Sequence, residues 1–167
     1  WWQRVTGRPG TSSYRIANGM TDEANLSVVE VARLVGMFIN QGKLHPGHAI
    51  TDYTMGNKTV STAKVEGLPV LRPETARAVA NQLRGVVDAG APGGKLGTAN
   101  HIVKAAGLSG KRIFGKTGSG RNDYWIALGT DQVSIVIRLT AISGSGRSLD
   151  TSEIMASTTA AAVAIKV

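Results

Sequence analysis

The sequence predicts an α+β fold, an antiparallel sheet of three C-terminal meander strands packed against helices. Two observations carry that expectation. Apolar residues recur at helical spacing before residue 90 and alternate with polar ones after residue 110. Helix-start signals precede the helical runs, and short turns separate the alternating ones. With 167 residues, 42% hydrophobic and 18% charged, the chain can close a core rather than remain disordered.

Residues 1–24 are rich in Gly, Ser, Thr and Arg and predict an irregular lead-in. The part 25–90 reads as helical with a short hairpin. "LSVVEVARLVGMFINQG" predicts the first helix, with Ser27 and Glu30 in capping-box spacing and Gly42 at the C-terminal cap. Val28, Val31, Ala32, Val35, Phe38 and Ile39 form its apolar stripe. Leu34 and Met37 widen the stripe, which predicts burial on most sides. Gly36, costly inside a helix, predicts close approach of another element. In 49–65 two short strands are expected about Gly56-Asn57. "RPETARAVANQLRGVVDAG" predicts a second helix from Pro73 to a stop at Gly90.

The six glycines of 90–110 predict a loop over 91–110. The part 111–167 then supplies a sheet and a closing helix. "KRIFGKTG", "DYWIALG" and "QVSIVIRLTA" are the strand-like runs, and Val133, Ile135, Ile137 and Leu139 mark one buried face. "DTSEIMASTTAAAVAIKV" opens with an Asp-x-x-Glu cap and predicts the closing helix.

Composition excludes several functions. The net charge of +8 favours anionic partners. The basic residues are dispersed with little aromatic interleaving, so no nucleic-acid partner is expected. Without cysteine there is no disulfide, thiol nucleophile or zinc knuckle. His45, His48 and His101 fall in Gly- and Pro-containing stretches without an H-x-x-x-H pattern, so neither a metal nor another cofactor is expected. No apolar run approaches the ~20 residues of a membrane span. The start Trp1-Trp2, without methionine, is expected to belong to a piece of something longer.

The stretch "GKTGSG", residues 115–120, carries the chemistry. "GKRIFGKT" satisfies the letters of a phosphate-binding loop. Its context does not: Arg112-Ile113-Phe114 is bulky where such a loop must bend, and a strand, not a helix, follows. The better reading is an edge strand that presents a lysine and hydroxyls, with glycine keeping its surface clear for a ligand. Lys116-Thr117-Gly118 then resembles the K-T-G element of penicillin-binding proteins and serine β-lactamases. "GKTGSGRNDYWIALGTDQVSIVIRL" is similar to that strand, the aromatic-bearing next strand and an apolar final one. "LSVVEVARLVGMFINQGKLHPGHAI" and "LRPETARAVANQLRGVVDAG" resemble the family's preceding helices. The likeness covers residues 24–140 and is nearest to high-molecular-weight transpeptidases.

The resemblance implies a β-lactamase/transpeptidase-like fold, incomplete here, with the chain as roughly the C-terminal half of a transpeptidase domain. It implies serine acyl transfer on peptidoglycan stem peptides or β-lactams, at the periplasmic, outer face of the cytoplasmic membrane. Membrane contact would come only through segments absent from this sequence. The same resemblance assigns Lys116 a positive field and a proton route, and gives the substrate carboxylate to the Thr117 and Ser119 hydroxyls. The Ser119 N–H becomes one of two oxyanion donors, and Gly118 lets the substrate lie against the strand. Tyr124 and Asp123 stand near enough to rim the cleft, and Trp125 is expected to serve packing.

The family's nucleophile lies in S-x-x-K on a helix, followed by S-x-N. No S-x-N occurs, and the one S-x-x-K, "STAK" from Ser61, falls in strand-like sequence where Lys64 would not align with the serine. The nucleophile is therefore expected outside this chain, in the missing N-terminal part of the domain. The alternatives are an inactive transpeptidase-like binding or scaffold module and a serine β-lactamase.

Overall fold

The computed structural model describes residues 26–48, 50, 52–61, 66–88, 97–105, 107–108, 110–119 and 123–140. The predicted lead-in 1–24, the closing helix and Lys64 lie outside the described residues.

Helix α1, Val28–Ile39, starts as its sequence dictates. The Ser27 N–H donates to Glu30 Oε2 at 2.7 Å and the Glu30 N–H to Ser27 Oγ at 3.2 Å, so each satisfies an end the other leaves open. Its C-terminal cap is Asn40, two residues before the expected Gly42. Gln41 takes the left-handed conformation, φ 55°, and the Gly42 N–H reaches back to the Met37 carbonyl at 2.9 Å, a Schellman closure. Gly42 is also required, with φ 85° and the place for a Cβ 2.2 Å from the Leu71 carbonyl oxygen. Its own carbonyl accepts the N–H groups of Val70 and Leu71.

The expected burial of α1 on most sides is overturned. Met37 is its one fully buried residue, while Val29 is 63% exposed. The helix lies against the sheet along one stripe and leaves the rest half open. That stripe does meet a second element at Gly36, where Ser134 Oγ stands 3.5 Å from the place of a Cβ and donates to the Ala32 carbonyl.

After α1 come strand β1, Lys43–Leu44, and the hairpin of β2, Asp52–Met55, with β3, Lys58–Ser61, which turns at Gly56-Asn57 as predicted. Every hairpin residue is exposed, so its strands hold mainly each other. Strand β4, Leu68–Pro69, pairs with β1 in a two-residue ladder that the sequence did not announce. Helix α2, Pro73–Arg84, has proline in its first turn and Glu74 and Arg84 at the ends that the helix dipole favours. It stops six residues before the expected Gly90. Beyond Gly85 the Val86 and Val87 carbonyls are taken by Ala99 N and Asn100 Nδ2, both at 2.9 Å.

Those bonds also order the chain that follows α2. The segment expected as a loop over 91–110 contains helix α3, Asn100–Ala105, because Ala99, Val103 and Leu108 are drawn into the core with Val87. His101 thus stands on a helix rather than in a loop.

Strands β5, Phe114–Ser119, β6, Asp123–Gly129, and β7, Ser134–Thr140, form the predicted antiparallel meander in the order β5-β6-β7. The register runs Phe114 opposite Gly129 to Ser119 opposite Tyr124, then Asp123 opposite Thr140 to Gly129 opposite Ser134. Side chains alternate between the faces. Ile126 and Leu128, with Ile135 and Ile137, pack on Val87, Ala99, Val103, Leu108 and Ile113. On the opposite face Phe114 meets Phe38 of α1 edge to face at 6.3 Å. Among the described residues no helix is long and apolar enough to cross a membrane.

Candidate functional site

Strand β5 pairs with β6 along one side, and among the described residues its other side has no partner strand. Lys116, Thr117, Gly118 and Ser119 therefore run extended along an open edge, opposite Ala127, Ile126, Trp125 and Tyr124. The phosphate-loop reading has no support in this geometry, since strand rather than helix carries Lys116 and Thr117.

Alternation separates the two side chains of the motif. Lys116 shares a face with Phe114, and Thr117 shares the opposite face with Gly115. Lys116 is exposed and donates to the Thr117 carbonyl. Among the described residues it has no carboxylate partner, which leaves its charge available at the edge. The Thr117 hydroxyl pairs with that of Thr98 at 3.0 Å.

Thr98 was not singled out by the sequence, although its Gly-Thr step was visible. Its position follows from Gly97, where a Cβ would stand 2.3 Å from the Val86 carbonyl oxygen. Only a residue without a side chain lets this segment lie so close to the end of α2. Ala99, fully buried, then pins the chain from the other side. Thr98 and Thr117 thus make a hydroxyl pair that the core fixes from behind.

The neighbouring strands frame this edge. Trp125, beside Gly118, lies under the Arg138 guanidinium, whose carbon is 5.1 Å from the ring centroid. Arg138 Nη2 also donates to Asp123 Oδ2 at 2.8 Å. The expected rim residues divide accordingly: Asp123 is engaged by Arg138, and Tyr124 packs partly against the core, where burial raises its phenol pKa. Ser61 of the S-x-x-K letters is at the end of exposed β3, opposite Asp52, in the strand conformation that argued against it. Among the described residues no cluster of His, Asp and Glu could hold a metal.

The hydrogen bond from Arg138, opposed by some desolvation, lowers the Asp123 pKa below its ordinary 3.8. A carboxyl with a lowered folded-state pKa adds stability above its unfolded pKa, and that stability is lost as pH falls through the folded value. With the two side chains 39% and 30% exposed, the pair contributes under about 1 kcal/mol. Asp123→Asn is expected to remove a small part of the acid destabilisation below about pH 4. Melting temperatures from pH 7 to pH 2 check this. An unchanged acid slope in the variant would contradict it.

Solved structures share this architecture. The chain is similar to penicillin-binding protein 3 from Mycobacterium tuberculosis complexed with ampicillin, with a TM-score of 0.59 and 20% identity. The apo form gives the same values, and the aztreonam complex 0.58 and 18%. Each match covers 81% of this chain and 34% of the other, so the chain spans about a third of the length of these structures. No protein-family model and no curated protein matches it. The likeness shows the fold: an α+β arrangement of the kind seen in part of these penicillin-binding protein structures.

Proposed function

We propose that the chain is the strand-bearing part of a penicillin-binding D,D-transpeptidase, which cross-links peptidoglycan stem peptides by serine acyl transfer. One observation carries this reading: Lys116 to Ser119 run extended along an open sheet edge, with the lysine charge unneutralised among the described residues. The neighbours' ampicillin and aztreonam complexes add that this fold accommodates β-lactams in those proteins.

The residues divide the work by position. The Lys116 ammonium supplies a positive field to the reacting carbonyl and its nucleophile, and a route for the serine proton. Thr117 and Ser119 receive the substrate carboxylate, with Thr98 holding the Thr117 hydroxyl. The Ser119 N–H is one of two donors to the oxyanion, each worth about 3–4 kcal/mol of barrier. Gly118 leaves the strand surface open to the substrate backbone. In the acylation step the serine oxygen bonds to the amide carbonyl carbon and the C–N bond breaks. The serine proton passes to the departing nitrogen. The serine belongs to a segment outside this sequence, and the domain works at the outer face of the cytoplasmic membrane.

A second reading, an inactive binding module, is favoured by the placement of Ser61, the one S-x-x-K serine, on an exposed hairpin. Mixing the chain with its upstream segment and a labelled penicillin separates the two. A covalent adduct by intact mass is expected from the mixture and not from this chain alone. Absence of an adduct in a correctly folded mixture leaves the binding module.

A further inference from the structure

At the Phe114 end of β5, α1, α2 and the β6–β7 turn enclose a half-open cleft of about 290 Å³. Lys116 stands two strand steps, roughly 7 Å, from Phe114 on the same face. The cleft borders the candidate acyl-transfer site, and none of its lining residues lies between Lys116 and Ser119. Phe38 and Phe114 provide apolar lining. Arg77 and Arg84 enter from α2, seven residues apart and so on one face of the helix. Arg112 enters from the approach to β5, and Asp131 from the turn. That turn is held by the Thr130 hydroxyl, which accepts the Gln132 and Val133 N–H groups at 3.1 and 3.0 Å.

The charges of this cleft are not balanced from within. Among the described residues neither Asp131 nor any other carboxylate pairs with the three guanidinium groups. Arg84 has its Nε buried with no acceptor among the described residues. A buried donor without a partner is costly, and nearly all such groups in folded proteins are satisfied. Three cations against one anion leave an excess of two positive charges, which matches a phosphomonoester dianion rather than a single carboxylate. Guanidinium groups also suit the paired oxygens of phosphate.

We propose that this cleft binds a phosphomonoester with an apolar body, its phosphate on Arg77, Arg84 and Arg112 and its body on Phe38 and Phe114. The phosphate belongs either to a soluble small molecule or to a lipid headgroup, and the two are distinguishable. Phenyl phosphate titrated into the chain by calorimetry tests the first. Co-sedimentation with phosphatidylcholine vesicles doped with phosphatidic acid tests the second.

In whichever arm binds, Arg112→Gln and Arg84→Gln are each expected to weaken binding about tenfold. Asp131→Asn is expected to tighten it about threefold by removing a repelling charge. Inorganic phosphate is expected to bind less tightly than phenyl phosphate, for want of the apolar body. Arg112 is exposed, so its variant remains informative if Arg84→Gln folds poorly, and a gain in Asp131→Asn cannot come from misfolding. Lys116→Ala, which removes a nearby charge but no lining group, is expected to weaken this binding less than either arginine variant does. Binding in neither arm overturns the proposal. So does a loss in Lys116→Ala equal to that in the arginine variants, which marks general attraction to a chain of charge +8.

Discussion

Lys116→Ala, in the domain reconstituted with its upstream segment, is expected to slow acylation by a penicillin about 100- to 1,000-fold, the range found when one preorganised electrostatic group is removed. Stability is expected to change by less than about 0.5 kcal/mol. The asymmetry follows from where the side chain sits. Lys116 is exposed, its hydrogen bond goes to the adjacent Thr117 carbonyl, and among the described residues no carboxylate depends on it. Removing it therefore orphans no buried group. Its charge matters only where an anion develops, beside the open edge of β5. Labelled-penicillin acylation rates and thermal melts of the same samples measure both quantities. A variant that acylates at the parent rate would remove Lys116 from the chemistry. One that also melts much earlier would show that the lysine serves the fold.

How far the sequence revealed this arrangement depended on whether structure was set locally. The capping box of Ser27 and Glu30 and the alternation in β7 are written within a few residues, and both elements appear where predicted, although Val133, expected on the buried face, precedes β7 and is exposed. Helix α3 was hidden because its reason is distant. Glycines on either side of Asn100 signal a loop, while the burial of Ala99, Val103 and Leu108 against Ile126 and Leu128 makes a helix there. The early end of α2 has the same origin, since the Val86 and Val87 carbonyls are claimed by Ala99 and Asn100. Within the candidate site the Lys-Thr-Gly letters were plain, and their strand conformation followed from the alternating neighbours. Thr98 was not plain, because only the close approach of Gly97 to Val86 brings its hydroxyl to Thr117. The arginine cleft had still less of a signature: Arg84 and Arg112 meet through tertiary packing alone.

Gly115 and Gly118, three residues apart on one strand, are expected to differ in stability under the same added methyl group, although acylation falls in both. At Gly115 a Cβ would stand 2.7 Å from the Ala127 carbonyl oxygen and 2.6 Å from Leu128 Cδ2. The leucine methyl can rotate away, but the carbonyl belongs to the backbone of β6. Gly115→Ala is thus expected to cost about 1–3 kcal/mol and to push β5 from its neighbour. Lys116 and Thr117 would move with the strand, so acylation and stability would fall together. At Gly118 the nearest atom to a Cβ is Trp125 Cβ at 3.6 Å, an ordinary contact. Nothing within the described chain requires glycine there. Gly118→Ala is expected to melt within about 0.5 kcal/mol of the parent. If a substrate backbone lies against this edge, the methyl group displaces it, and acylation drops about 10- to 100-fold with stability intact. Paired melts and acylation rates for the two variants read both effects, because nothing among the described residues makes Gly118 matter. Parent-like acylation by Gly118→Ala would mean that the substrate does not lie along β5.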